Sequence, residues 1–343
     1  MTLIQFRARL WRDAALSILV LLAPMAALAQ WRTPTPQEQA LDATAFQGIE
    51  QVIAESLPDV QSVFVALRGR VAFQYFRDGA PDGLRDVQSV AKSAASTLIG
   101  VALRQGRIAS LDQPVVELVP ELAPLNADPR SRDITLRHLL TMTAGFQVND
   151  PSGTAAAGRA SDGWARPMTS APGQTFAYDN TAPVILVEVL RKVTGMPLAD
   201  YAREQLVVPL GMHEPSYQRG LRMRTEDMAK LGQLFLQNGA WGDRQLIAPS
   251  FVAEATTVRN AGGPPGTLPY GFMWWIVPSK AQRLTFMASG YSGQYVWVYP
   301  GLDMVVATTS TVSAEAHRRG QALQLIRTRL FAAAQKRSSA GDR

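Results

Sequence analysis

Ser89-Val90-Ala91-Lys92 opens an almost fully apolar stretch that reads as a helix from Val90 to Leu103, and it is the only S-x-x-K in the chain. Residues i and i+3 of a helix share a face, so Ser89 and Lys92 point the same way. A serine hydroxyl is a poor nucleophile near neutral pH and needs a base within hydrogen-bond reach. A lysine becomes such a base when burial disfavours its charged form. Ala94, Ala95, Leu98 and Ile99 supply an apolar setting for that. The same residues also fit a helix-start serine cap followed by a snorkelling lysine. With five lysines against 29 arginines, a lysine three residues after a serine is an uncommon coincidence here.

The pattern around this helix predicts an α+β chain. Residues 30–42 read as a polar, proline-bearing leader, and Ala45 to Leu57 has helical spacing, with Phe46, Ile49, Val52 and Ile53 on one face. Gln61 to Leu67 and Val71 to Phe76 read as a hairpin turned by Arg68-Gly69-Arg70. Gly106 closes the Ser89 helix. From Leu111 the pattern is helical and loop-rich, with Thr135 as the cap of a short helix and further helices at Ala182 to Val193, Leu198 to Leu206 and Thr225 to Asn238. Residues 150–174 form a long loop rich in Gly, Ala, Ser and Pro, a type often functional. Strand character returns at Tyr270 to Val277, Leu284 to Ala288, Gly293 to Tyr299 and Met304 to Thr309. A helix from Arg318 to Ala334 closes the chain, and 335–343 read as a polar, disordered tail. Strands at both ends predict one antiparallel sheet flanked by the terminal helices. On this reading 30–110 and 240–334 build the α/β part, and 111–239 is a helical insertion.

Two further segments carry chemistry. Pro172-Gly173-Gln174-Thr175-Phe176-Ala177-Tyr178-Asp179-Asn180 is a turn that delivers Tyr178 and Asn180. A tyrosine beside a serine and a lysine can shuttle a proton, and an asparagine amide can bind a substrate carbonyl. An ordinary turn with Asn180 as the cap of the next helix fits the same letters. Ala288-Ser289-Gly290-Tyr291-Ser292-Gly293-Gln294 enters the strand at Tyr295. Glycines there let a substrate lie close to the backbone, and a strand N–H can join that of Ser89 in an oxyanion hole. A plain hairpin turn is the alternative.

In this order the three segments resemble the penicillin-recognising serine hydrolases, the class C β-lactamase and DD-peptidase superfamily. Its motifs are S-x-x-K, Y-x-N and a Lys/His-Ser/Thr-Gly triplet. Ile134-Thr135-Leu136-Arg137-His138-Leu139-Leu140-Thr141-Met142-Thr143-Ala144-Gly145-Phe146 is similar to a segment of that superfamily, as are Gly220 to Gly232 and Tyr270-Gly271-Phe272-Met273-Trp274-Trp275. Gly290-Tyr291-Ser292-Gly293-Gln294 resembles the G-Y-G-G-Q of its 6-aminohexanoate-dimer hydrolase and family VIII esterase branch. The resemblance implies a β-lactamase/transpeptidase-like fold and no cofactor. It implies Ser89 as acylated nucleophile, Lys92 as base, Tyr178 as proton relay and Asn180 as a positioning group. The backbone N–H groups of Ser89 and Tyr291 would form the oxyanion hole, with Ser289 and Gly290 beside the substrate. Ala288 stands where β-lactamases carry a lysine or histidine next to the substrate carboxylate. An ester or amide without that carboxylate is therefore the expected small-molecule substrate. A β-lactam or D-amino-acid peptide on the same site, or a non-catalytic sensor of peptidoglycan with the same fold, are the alternatives.

Composition bounds the rest. Arg7, Arg9 and Arg12, the apolar run Ala14 to Leu22 and the small-x-small Ala27-Leu28-Ala29 read as a cleaved signal peptide over 1–29. The mature chain is then expected in the periplasm or outside the cell, with no stable membrane span. Loss of three arginines and one aspartate takes the net charge from +6 to +4, and the charges are scattered, so no nucleic-acid footprint is read. Zero cysteine excludes disulfides and thiolate chemistry. Only His138, His213 and His317 are available as histidines, and no G-x-S-x-G elbow is present. Neither a Ser-His-Asp triad nor a zinc site is expected. Trp164, Trp274, Trp275 and Asp162 are candidates to line the substrate cleft.

Overall fold

The computed structural model describes residues 31–150, 158–278, 281, 283–316 and 318–341. The proposed signal peptide, part of the 150–174 loop and His317 lie outside them. Six strands form one antiparallel sheet: β1 (Val60–Leu67), β2 (Arg70–Phe76), β3 (Trp275–Val277), β4 (Thr285–Gly290), β5 (Gln294–Tyr299) and β6 (Met304–Ser310). Their order across the sheet is β2-β1-β6-β5-β4-β3, so strands from both ends of the chain share it. β1 is buried along almost its whole length, as a central strand covered on both faces must be. β2, at the edge, is mostly half-buried, with Gln74 exposed.

Side-chain alternation explains how the sheet is sandwiched. Val296 and Val298 of β5 meet a helix over Thr225–Leu236, where Gly232 permits the approach. A Cβ there would lie 2.7 Å from Val296 and 2.8 Å from Val305. Trp297 and Tyr299 point the other way, onto Phe331 of the last helix, with ring centroids 5.8 and 4.2 Å apart. Among the described residues, the mainly helical segment between Asp86 and Trp275 adds no strand to this sheet. The fold is the β-lactamase/transpeptidase-like α+β arrangement expected.

Three segments differ from their sequence reading. The supposed leader holds a helix, Pro36–Ala45, started by a capping box in which Thr35 Oγ1 accepts from Glu38 N and Thr35 N donates to Glu38. Its Asp42 is buried and ion-paired to Arg70 of β2 and, at 3.1 Å, to Arg337. That pair also explains the second difference. The last helix runs on from Phe331 to Gly341, past Ala334, because Arg337 anchors it to the first helix. Third, only Trp275–Val277 of the Tyr270–Val277 run is a strand. Met273 has φ +60, and Gly271 lies where a Cβ would be 2.1 Å from the Ala255 carbonyl, so the chain turns there instead of extending.

The Asp42 cluster sets one expected result. Arg70 and Arg337 side chains are 0 % and 2 % exposed, and Asp42→Ala takes the carboxylate from the buried Arg337 and leaves Arg70 only Glu38, 3.3 Å away. Breaking a buried pair from one side costs about 3–5 kcal/mol. Urea unfolding of the variant should show its midpoint fall accordingly, and an unchanged midpoint would refute the assignment of Asp42 as the clamp.

Candidate active site

Ser89 sits at the mouth of the helix Val90–Arg104 and is placed by an unusual entry. Arg85–Asp86 pairs with Arg222–Met223, which fixes the chain just before the helix. Asp86 then accepts from both the backbone N–H and the side-chain amide of Gln88, each at 2.8 Å. These bonds hold Gln88 at φ +49, a left-handed conformation that a long side chain rarely adopts. Ser89 itself is helical and makes no side-chain cap bond, so its hydroxyl is not consumed by the helix terminus.

Lys92 lies one turn on, 6 % exposed, and its Nζ donates to Ser89 Oγ at 3.0 Å and to Asn180 Oδ1 at 2.6 Å. Burial pulls the lysine down to about 8, against a smaller upward pull from Asp179. Tyr178 lies beside the ammonium, with Nζ 4.7 Å from its ring centroid, and hydrogen-bonds Ser89. Burial pushes its phenol up to about 12, opposed by that bond to Ser89. At neutral pH the tyrosine is therefore a protonated donor, while the lysine is within reach of its free-base form.

The turn that delivers these groups is braced from below. Asp179 is buried, ion-paired to Arg166, and accepts from Thr181 N at 2.8 Å. The Tyr178 ring stacks on Trp275 with centroids 5.8 Å apart and rings 19° from parallel. Ser93 and Ser96 tie the Ser89 helix to the 272–273 turn by donating to the Met273 and Phe272 carbonyls. The role of Asp86, Gln88, Arg166 and Asp179 was not read from the sequence. Their effect is backbone conformation and a distant ion pair, which leave no local motif.

The third segment arrives from the sheet. Gly290 ends β4 against the Ser89 entry: a Cβ there would stand 2.8 Å from the Val87 carbonyl and 2.9 Å from Gln88 Cβ. Tyr291 lines the same cavity as Ser89, Lys92 and Asn180, and its hydroxyl accepts from Arg319 at 3.2 Å. Ser289 and Gly290 are not among the lining residues; Ser289 bonds its cross-strand partner Tyr295. Ala288 is 1 % exposed and offers no cation to the site.

Of the other candidates, Trp164 and Trp274 are fully buried core residues, packed on Phe146 and on Phe235 and Phe286 respectively. Trp275 serves as the floor under Tyr178. Asp162 is exposed and paired to Arg159. His138 takes part in a capping box with Thr135.

The cavity beside Ser89 has a volume of about 950 Å³ and runs between the Ser89 helix and the helix Ala182–Thr194. No described helix is long and apolar enough to cross a membrane.

Residues 53–330 match the family described as Beta-lactamase. The chain is 26% identical over 332 residues to the 6-aminohexanoate-dimer hydrolase of Paenarthrobacter ureafaciens, covering 84% of this chain and 83% of that protein. It is 29% identical over 157 residues to the esterase EstB of Burkholderia gladioli, covering 39% of this chain and 38% of that one. Among solved structures, a protein from Bacteroides dorei described as a putative beta-lactamase superposes with a TM-score of 0.72 at 17% identity, over 84% of this chain and 99% of its own.

Proposed function

The chain belongs to the beta-lactamase family, and from that premise we propose that it is an exported serine hydrolase of esters or amides, working through a Ser89 acyl-enzyme. The observation that carries the proposal is the Lys92 ammonium buried within 3.0 Å of Ser89 Oγ and held by Asn180. In its free-base form Lys92 takes the Ser89 proton as Oγ attacks the substrate carbonyl. The oxyanion is received by the Ser89 and Tyr291 backbone N–H groups. Tyr178, protonated at neutral pH, passes its proton to the leaving group and is reprotonated from Lys92. Water then attacks the acyl-enzyme with the same groups in reverse.

The substrate class rests on the residue that stands at the third motif, Ala288. A β-lactam or a D-amino-acid peptide presents a carboxylate, and the buried methyl of Ala288 does not offer it a countercharge. Hydrolysis of p-nitrophenyl butyrate with nitrocefin left intact is the expected result of running both in parallel. Nitrocefin turnover at a comparable rate would move the substrate class to β-lactams. The export reading rests on the Arg7–Ala29 segment, and N-terminal sequencing of the mature protein tests it, with Gln30 expected first.

Tyr178→Phe gives a second test of the chemistry. The variant keeps the stack on Trp275 and removes only the hydroxyl. Turnover should fall by about 10²-fold or more, with the thermal midpoint nearly unchanged. Retention of full activity would remove Tyr178 from the proton path.

A further inference from the structure

We propose that Arg166 is a positioning residue of the reaction: by engaging Asp179, the residue between Tyr178 and Asn180, it keeps a buried carboxylate from becoming the counter-ion of Lys92. The inference rests on the Ser89 and Lys92 reading above and deepens it.

Asp179 stands in an awkward place for a site that needs a free-base amine. Both of its chain neighbours reach the reacting groups: Tyr178 hydrogen-bonds Ser89, and Asn180 Oδ1 accepts from Lys92 Nζ at 2.6 Å. Asp179 itself is 7 % exposed, so water screens its charge poorly. Burial is the largest influence on the Lys92 amine and favours its neutral form, and the attraction of Asp179 opposes it. Left unpaired, that carboxylate would hold Lys92 as an ammonium, the form that cannot take a proton from Ser89.

Arg166 removes that option. Its Nη2 is ion-paired to Asp179 Oδ2 and its Nη1 donates to Oδ1 at 3.3 Å, while Thr181 N donates to Oδ1 at 2.8 Å. Both carboxylate oxygens are engaged there, and Lys92 bonds Ser89 and Asn180 instead. The guanidinium is fixed independently of Asp179. Its Nε donates to the Gly163 carbonyl at 2.9 Å, its Nη1 also donates to the Gln147 carbonyl at 3.2 Å, and it lies over the Phe146 ring, 5.3 Å from the centroid. Asn126 ties down the backbone by donating to the Trp164 and Arg166 carbonyls at 2.6 and 2.9 Å. The described end of the 150–174 loop thus presents a preorganised cation to the turn that carries Tyr178 and Asn180.

The other ionisable groups around Lys92 are already accounted for. Those that share its cavity are Asp86, Tyr217, Arg219 and Tyr291. Asp86 is engaged by both donors of Gln88, Arg219 is exposed, and Tyr291 is bonded to Arg319. Tyr178 and Tyr217 are neutral phenols, each pushed up to about 12 by burial. Asp179 is the charge that acts on the amine, and Arg166 is the group that answers it.

The test is the pH dependence of kcat/KM for p-nitrophenyl butyrate, whose midpoint in the native protein is expected at about 8. Arg166→Gln removes the charge and keeps amide donors for the Gln147 and Gly163 carbonyls. It should move the midpoint up by about one pH unit or more, a loss of about tenfold or more at pH 7, with the high-pH plateau close to native. Asp179→Asn should leave the midpoint no higher than native. The double variant should return it to the native position, because neither charge remains. Arg166→Lys keeps a cation and should keep the native midpoint. A merely structural brace gives a different pattern: a lowered plateau with an unmoved midpoint in Arg166→Gln, and no recovery in the double variant. Either result overturns the inference, as does a raised midpoint in Arg166→Lys. Thermal melts identify a variant that does not fold. Should Arg166→Gln be one, a midpoint above native in Asp179→Asn or Arg166→Lys still overturns the inference, and native or lower midpoints in both uphold it. A native profile that is flat from pH 6 to pH 9 defeats the Lys92 reading itself. A rising native profile whose midpoint Arg166→Gln shares defeats only the role of Arg166.

Discussion

Ser89→Ala should abolish ester hydrolysis, with a loss on the order of 10³-fold or more in kcat, while the protein stays folded. The size follows from the role proposed: without Oγ there is no acyl-enzyme, and removal of a nucleophile leaves only the contribution of binding and the oxyanion hole. The retention of fold follows from the helix terminus. Ser89 makes no side-chain cap bond, so the substitution does not remove the stabilisation that an N-cap serine usually gives, about 1 kcal/mol. Stability and activity should therefore separate cleanly. Kinetics with p-nitrophenyl butyrate, probe labelling and a thermal melt on the same preparation check this. A variant that retains ester turnover and probe labelling would place the nucleophile elsewhere. One that melts well below the native protein would show that Ser89 also carries structure.

The contrast between Ser89 and its surroundings shows what a single sequence reveals. Ser89 and Lys92 are legible together because helix geometry alone puts i and i+3 on one face. The sheet is legible because its strands are short apolar runs punctuated by turns, and β1 looks like a buried strand from its letters. Asn180, 88 residues after Lys92, meets it at 2.6 Å, and nothing local in the sequence announces that contact. Only the order of the three motifs, read as a resemblance, suggested it. The left-handed Gln88 was hidden for a different reason: its conformation is imposed by two bonds to Asp86, and neither residue type signals a positive φ. The Asp42, Arg70 and Arg337 cluster joins residues up to 295 apart and turned a supposed leader and a supposed tail into packed helices. The start of that leader was readable, since Thr35-Pro36-Gln37-Glu38 is a capping-box pattern with proline at the first turn. A polar, proline-bearing composition outweighed it.

Lys92→Met should combine a loss of activity on the order of 10³-fold with a modest gain in stability at neutral pH. The activity term is the removal of the proposed base, Lys92, which donates to Ser89 Oγ and whose amine is held at about 8. In the native protein kcat/KM should rise with pH and level off above about 8, where the buried amine is in its free-base form. The stability term comes from the same shift. Lys92 is held at about 8 in the fold against an ordinary 10.5, so between these values the unfolded chain binds one proton more than the folded one. Stability therefore rises with pH across that window, and below about 8 the folded protein carries the whole burial cost, on the order of 3 kcal/mol. Methionine removes that cost but also removes the bonds from Nζ to Ser89 and Asn180, roughly 1 kcal/mol each. The net expectation at pH 7 is a gain of about 1 kcal/mol, which turns into a loss of about 2 kcal/mol as the pH approaches 10.5 and only the lost bonds remain. Denaturant titrations of both proteins at pH 7 and pH 10, beside a pH–rate profile of the native enzyme, measure each part. A flat profile from pH 6 to pH 9 would deny Lys92 its role as base. A variant less stable at pH 7 than the native protein would mean that the Lys92 bonds outweigh its desolvation. A site that holds a destabilising buried amine against its serine gives up fold stability for reactivity, and these two measurements on one residue quantify that exchange.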